Sequence, residues 1–324
     1  MAADFCHSVK GKEATKLSKY ILKRLGFMVL TIFVIITVTF FMMKAIPGDP
    51  LASMARSLPE QTKANYYAKY GLDKPVSEQY FIYLKNFLKG DLGESLVYPG
   101  RPVTKTIIET SPVSGSVGGL GLIIGLVIGV AFGIIAALNK NKWPDYIVMF
   151  IAILGITVPV FVLASLLQFI LANKMGVLPT SGWGEPKHYI MPVIVSCFGT
   201  IATYARYIKS SMLDTLSQDY VLTARAKGLS EAQVISRHVM RNSMLPAVTL
   251  LSGRLVSIFT GSFIVERMFS IPGIGFYYIS SVNNNDYSMV MGTTIFYGVL
   301  FVIAQFIVDF VYTLVDPRIR IGAE

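Results

Sequence analysis

The chain has 324 residues, 53% of them hydrophobic and 15% charged, with a mean hydropathy of +0.57. That balance excludes a soluble fold and points to an all-α polytopic membrane protein. The net charge of +10 is read as basic residues beside membrane spans, which set topology and meet anionic lipid, and not as a nucleic-acid surface. Cys6 and Cys197 stand far apart, with Cys197 inside an apolar run, so neither a disulfide framework nor a metal site is indicated.

Residues 1–24 carry Lys10, Lys12, Lys16, Lys19, Lys23 and Arg24 and form a basic N-terminus on the cytoplasmic side. The nearly charge-free run 25–46 follows, long enough at ~1.5 Å per residue to cross a ~30 Å hydrocarbon core. It is too long for a signal peptide's apolar region and no small-residue cleavage site follows, so it reads as an uncleaved first span. Lys44 near its far end can snorkel outward. Residues 47–111 form an extracellular lobe. It opens on the rigid turn Pro47-Gly48-Asp49-Pro50, continues as a polar helix from about Pro59 to Tyr70, and holds an amphipathic aromatic stretch, Gln79 to Leu88. Those aromatics read as the small core of a lobe resting on the bilayer in preference to a ligand box.

Residues 112–316 hold five more spans. The second, 113–138, carries Gly121, Gly125, Gly129 and Gly133, each four residues from the next and so on one helix face, where a neighbouring helix can pack backbone to backbone. No phosphate-binding Gly-x-x-x-x-Gly-Lys-Ser/Thr occurs, so no ATPase site is expected. Lys140 and Lys142 mark an inner turn. The third span, 146–171, is interrupted by Thr157, Pro159, Ser165 and Gln168, the proline implying a kink. A Gly- and Pro-rich outer loop, 173–190, leads to the fourth span, 189–208, which ends at Arg206 and Lys209. After the loop 209–246 come the fifth span, 247–268, an outer turn from Phe269 to Gly275, the sixth span, 289–314, and a tail, 317–324. Lys and Arg number six before the first span, two in the first inner turn, six from Arg206 to Arg241 and two in the tail, against two and none in the short outer loops. Both termini are therefore expected inside, in a multi-pass protein.

Tyr220 to Pro246 is the polar, basic segment on which the rest is organised. A loop this long needs partners for its amides, so it reads either as a solvated helical hairpin or as a docking surface. Thr223, Ala224, Arg225, Ala226, Lys227, Gly228 and Leu229 make a small-residue patch ending in a helix-stopping glycine. Ser230 can cap a following helix with Glu231 in its first turn, and Val234, Ile235, Val239 and Met240 fall near helical spacing.

The segment resembles the cytoplasmic coupling loop of ABC importer permeases. Gly228 and Ala224 stand at that loop's glycine and second alanine, while Leu222 replaces its glutamate and Thr223 its first alanine. Ala224 to Leu229 with Arg237-His238 and Arg241-Asn242 is similar to the variant of the oligopeptide, dipeptide and nickel branch. So are GDP at 48–50, YGLDKP at 70–75 and KGDLGESL at 89–96. Glu266, Phe269, Ser270, Pro272, Gly273 and Gly275 match that branch's E-x-x-F-S-x-P-G-x-G, and the end from Tyr312 to Arg320 resembles its closing motif.

The resemblance implies a type I importer fold and a peptide permease half. Its implied partners are a second homologous permease, two cytoplasmic ATP-binding subunits, and an extracellular or periplasmic peptide-binding protein or lipoprotein, in the plasma membrane of a bacterium. It implies no cofactor of the chain's own, ATP being bound by the partners. Arg225 and Lys227 would pair with acidic groove residues of the ATPase, and Ala224 and Ala226 would admit close contact. Arg237 and Arg241 extend the basic surface. Ser165, Gln168, Arg254, Ser257 and Gln305 are candidates for the wall of the peptide pathway. Two alternatives stand beside this reading: a nickel-chelate permease, and an ion-coupled secondary transporter using Arg254, Glu266, Arg267 or Asp309. A receptor acting through the outer lobe is a third class, with no appended signalling domain to support it.

Overall fold

The computed structural model describes residues 2–46, 59–69, 71–98, 100–260 and 263–315. The Pro47–Pro50 turn and the 317–324 tail lie outside them. Helix α1, Ala2–Ala45, joins the basic N-terminus and the first span in one rod. Among the described residues, four helices are long and apolar enough to cross a membrane, and a bent pair makes up to five. The chain is thus a multi-pass, all-α membrane protein.

The second expected span lies within α4, Val103–Leu138, after the lobe helices α2, Glu60–Lys69, and α3, Val76–Phe87. Its glycine ladder meets α7, Lys187–Leu216. A Cβ added at Gly121, Gly125, Gly129 or Gly133 would fall 2.7, 2.6, 2.9 and 2.6 Å from the Cβ atoms of Ser196, Thr200, Tyr204 and Ile208 respectively. Two rows with a four-residue period lie ridge to ridge, and only the missing side chains let the backbones come this close.

The third expected span is not one kinked helix. It is a pair, α5, Trp143–Thr157, and α6, Val160–Leu167, bent by 106° and continued by a π turn, Gln168–Lys174. The cause is local. The residue before a proline is driven to extended backbone, and Val158 takes φ −76°, ψ 118°. Pro159 then opens α6, its carbonyl accepting from the amides of Val162 and Leu163 at 3.0 and 3.1 Å. At the other end of α5, the buried Asp145 carboxylate pairs with Lys209 of α7 at 2.5 Å.

The fourth expected span, 189–208, runs on unbroken to Leu216 in α7, so the first turns of the 209–246 loop are helix. Then come α8, Asp219–Ala226, and α9, which starts at Glu231–Gln233, passes through a π turn at Val234–Val239 and ends at Met240–Ser243. The fifth expected span falls on α10, Leu245–Thr260, and α11, Phe263–Phe269. The expected outer turn is present, non-helical from Ser270 to Gly273, and is followed by a helix not expected from the sequence, α12, Ile274–Asn283. Helix α13, Tyr287–Val315, is the last span.

Two buried carboxylates hold the irregular pieces to the spans. Glu266, fully buried, accepts from the Ser114 hydroxyl at 2.6 Å and the Phe276 amide at 3.1 Å, and Ser114 Oγ accepts the Ile274 amide at 2.9 Å. A Cβ at Gly273 would sit 2.5 Å from Ser114 Oγ, and one at Gly275 2.9 Å from Glu266 Oε2. The motif from Glu266 to Gly275 is therefore a knot tying α11 and α12 to α4. Glu266→Ala is expected to lower the thermal midpoint of the purified protein by several degrees. It strands buried donors at a cost of about 3 kcal/mol, whereas Glu266→Gln, which still accepts, loses much less.

The second carboxylate is Asp286, also fully buried. It accepts from the Leu96 amide at 3.0 Å, the Met289 amide at 3.1 Å and the Ser95 hydroxyl, docking the lobe on the start of α13. The aromatic stretch meets α1: Tyr80 stacks edge-on to Phe40 with centroids 5.4 Å apart and hydrogen-bonds Thr37 at 2.8 Å. Between lobe and spans lies a cavity of about 660 Å³ bordered by Phe40, Lys44, Tyr83, Leu92, Tyr287 and Met291.

Candidate functional site

Helix α8 has two faces with different fates. Val221 and Ala224, three apart and so neighbours on one face, are buried in a cluster with Tyr204, Ile208 and Met212 of α7, Val234 and Val239 of α9, and Ala247 of α10. Ala224 was expected to admit a partner; its small side chain serves the chain's own packing. The opposite face is open, with Tyr220, Leu222, Thr223, Arg225, Ala226 and Lys227 exposed, Leu222 by 54%.

Val234 and Val239 are both fully buried although five residues apart. A continuous α-helix would turn them to different sides. The i→i+5 bonding of the π turn brings both onto the core face. Ser230 caps α9 as expected: its hydroxyl accepts from the Gln233 amide at 3.4 Å, and Gln233 Oε1 accepts from the Ser230 amide at 3.1 Å. This reciprocal box stiffens the junction.

Gly228 stands at φ +80°, with nothing within 4 Å of a Cβ built on it. The left-handed backbone ends α8 and redirects the chain into α9, and open space lies beyond it. Across this bend the Arg225 fork grips Glu231, Nε at 2.8 Å and Nη2 at 3.2 Å. Arg225 is thus occupied within the chain and braces the angle between the two helices. Among the described residues, no carboxylate pairs with Lys227, Arg237 or Arg241, all exposed. Leu229 is half-buried against the cluster under the bend. The expected docking patch is accordingly a convex basic ridge with Leu222 and Tyr220 on its flank, seated on a packed base.

The five pathway candidates divide. Arg254 and Ser257 line one cavity of about 170 Å³, together with Ser196, Thr200, Gly118 and Val265. Arg254 Nη2 donates to Thr203 Oγ1 at 2.5 Å, and the Ser257 hydroxyl to the Arg254 carbonyl at 2.8 Å. Gln168 does not join them. Its amide donates to the carbonyls of Thr180 at 2.9 Å and Met268 at 3.0 Å, bracing the 173–190 segment against α11. Ser165 is exposed on α6, and Gln305 is half-buried on α13; neither borders that cavity. Thr203 was not singled out from the sequence, and Glu231 was read only as a first-turn residue of the helix that Ser230 caps. Glu231 sits six residues after Arg225, a spacing that brings them together only once the glycine bend is known.

Comparison with known families gives two matches. A model described as "Binding-protein-dependent transport system inner membrane component" matches residues 129–321, and its N-terminal companion matches residues 17–113. The chain is 42% identical over 303 residues to a dipeptide transport system permease protein of Lactococcus lactis, covering 94% of this chain and 99% of that one. It is 41% identical to the Bacillus subtilis dipeptide permease, again over 94% and 99%. To the Escherichia coli oligopeptide transport system permease it is 39% identical, over 93% and 99%.

Proposed function

The chain belongs to the binding-protein-dependent transport system inner membrane component family, and on that footing we propose that it is one permease half of an ATP-driven importer of dipeptides or oligopeptides. The observation that carries the substrate class is the likeness to dipeptide and oligopeptide permeases along almost the entire chain. In this reading a second homologous permease completes the pathway. Of two ATP-binding subunits, one docks at the ridge made by Leu222, Thr223, Arg225, Ala226, Lys227 and Gly228, with Arg237 and Arg241 nearby. A peptide-binding protein or lipoprotein delivers cargo on the lobe side. Both termini and the ridge face the cytoplasm of a bacterial cell, as the distribution of Lys and Arg supports.

The chain holds no nucleotide and performs no hydrolysis of its own. Energy enters where closure of the ATPase pair moves the ridge, and it is spent in exchanging inward-open and outward-open arrangements of the spans. Lys227, Arg237 and Arg241 offer charges to an acidic groove, while exposed Leu222 and Tyr220 offer apolar area. Arg225 contributes by holding the shape of the ridge.

Reconstitution tests this directly. The chain with its companion subunits in vesicles is expected to accumulate labelled peptide only when ATP and the binding protein are both supplied. The same vesicles with a proton or sodium gradient and no ATP should accumulate none. Gradient-driven uptake, or uptake by the isolated chain, would replace this reading by an ion-coupled one. ATP-driven uptake of a nickel chelate in preference to peptide would keep the engine and change the cargo.

A further inference from the structure

Arg254 is a half-buried charge within α10. It lies nine residues into α10, about 13 Å along that helix. A guanidinium stays protonated under all working conditions, and at this depth an ionic group is costly unless it is paired or faces a polar cavity. Its hydrogen-bond partner is a neutral hydroxyl, Thr203 Oγ1 at 2.5 Å, and no carboxylate pairs with it among the described residues. Arg254 borders the cavity of about 170 Å³, where the hydroxyl-bearing Ser196, Thr200 and Ser257 share the wall with Gly118 and Gly199. A cation and the hydroxyls of Ser196 and Thr200, set in a mostly apolar wall, form a receptor for a small anion.

Resting on the peptide-importer reading above, we propose that Arg254 receives the C-terminal carboxylate of the peptide in transit. Every linear peptide with a free end carries that one group whatever its side chains. A bidentate fork is matched to it in geometry and charge. Recognition at this point would be blind to sequence yet strict about the free acid, and Ser196 and Thr200 would supply the neutral hydrogen bonds around it. Thr203 holds the guanidinium in place between cargoes as a positioning residue.

The test uses the complete transporter with its binding protein in proteoliposomes. It compares one peptide as free acid and as C-terminal amide, each at a concentration that saturates the binding protein, so that delivery is equal. The unaltered transporter is expected to carry the acid at least about tenfold faster, the scale of one hydrogen bond to a charged group. Arg254→Gln should bring the two rates together by slowing the acid, and Arg254→Lys, which keeps the charge without the fork, should retain part of the preference. An acid-to-amide ratio unchanged by Arg254→Gln overturns the proposal. So does an equal loss for both peptides or a failure of the subunits to co-purify, either of which assigns the cation to a contact with the second permease. If the unaltered transporter moves neither peptide under ATP, the importer reading itself has failed and takes this inference with it.

Discussion

Gly129→Leu is expected to leave almost no folded protein in the membrane. A Cβ at this position already lies 2.9 Å from Tyr204 Cβ, 3.0 Å from the Ile201 carbonyl oxygen and 3.2 Å from Ile201 Cα. Two of those three atoms are backbone, so no rotamer change relieves the clash. The helices must separate, and separating them at Gly129 also opens the contacts at Gly125 and Gly133. The cost therefore exceeds the ~1–3 kcal/mol of ordinary overpacking. Gly119→Leu, on the same helix but with nothing within 4 Å of its added Cβ, should accumulate normally. Immunoblotting of membranes and thermal melting in detergent read both variants. Normal abundance of Gly129→Leu would show that the two helices do not pack through the ladder.

The second large effect is at Gly228. Gly228→Asp should insert and accumulate like the unaltered chain yet lose ATP-driven uptake by at least about thirtyfold, the equivalent of an interface residue worth ~2 kcal/mol. Accumulation is preserved because aspartate tolerates the left-handed region better than most residues and the space around the position is open. Uptake fails because a carboxylate then stands on the crest beside Lys227, offsetting its positive charge where an acidic groove would approach and repelling that groove. Gly228→Asn has nearly the same shape and no charge, so the difference between the two variants isolates electrostatics from bulk. Unimpaired uptake by Gly228→Asp at equal abundance would dissociate the ridge from coupling.

What could be read beforehand followed from spacing within one element. The glycines four apart announced a packing face, but their counterpart row of Ser196, Thr200, Tyr204 and Ile208 has no small-residue signature and was invisible until α7 was seen beside α4. Arg254 and Ser257, three apart on one helix, could be placed on a common face. Gln168 could not be assigned, since the carbonyls it serves lie 12 and 100 residues away. Pro159 announced a break, whereas the 106° between its flanking helices is fixed by what each half packs against. Ala224 shows the same limit in a short element. In an eight-residue helix, alternate exposed and buried faces give too few turns to tell an inward alanine from an outward one.

Helix α7 passes without interruption from the glycine contacts to Leu216, a rod of 30 residues, about 45 Å long. Val221, Ala224, Val234 and Val239 are keyed into its far end, and Lys209 bolts it to Asp145 on the way. The crest is packed onto the rod across the short Ser217–Gln218 junction. Were an ATPase to dock at Lys227, a displacement there would reach Thr200 and Thr203 through this one helix, as the swing of a single crank with its throw set by leverage.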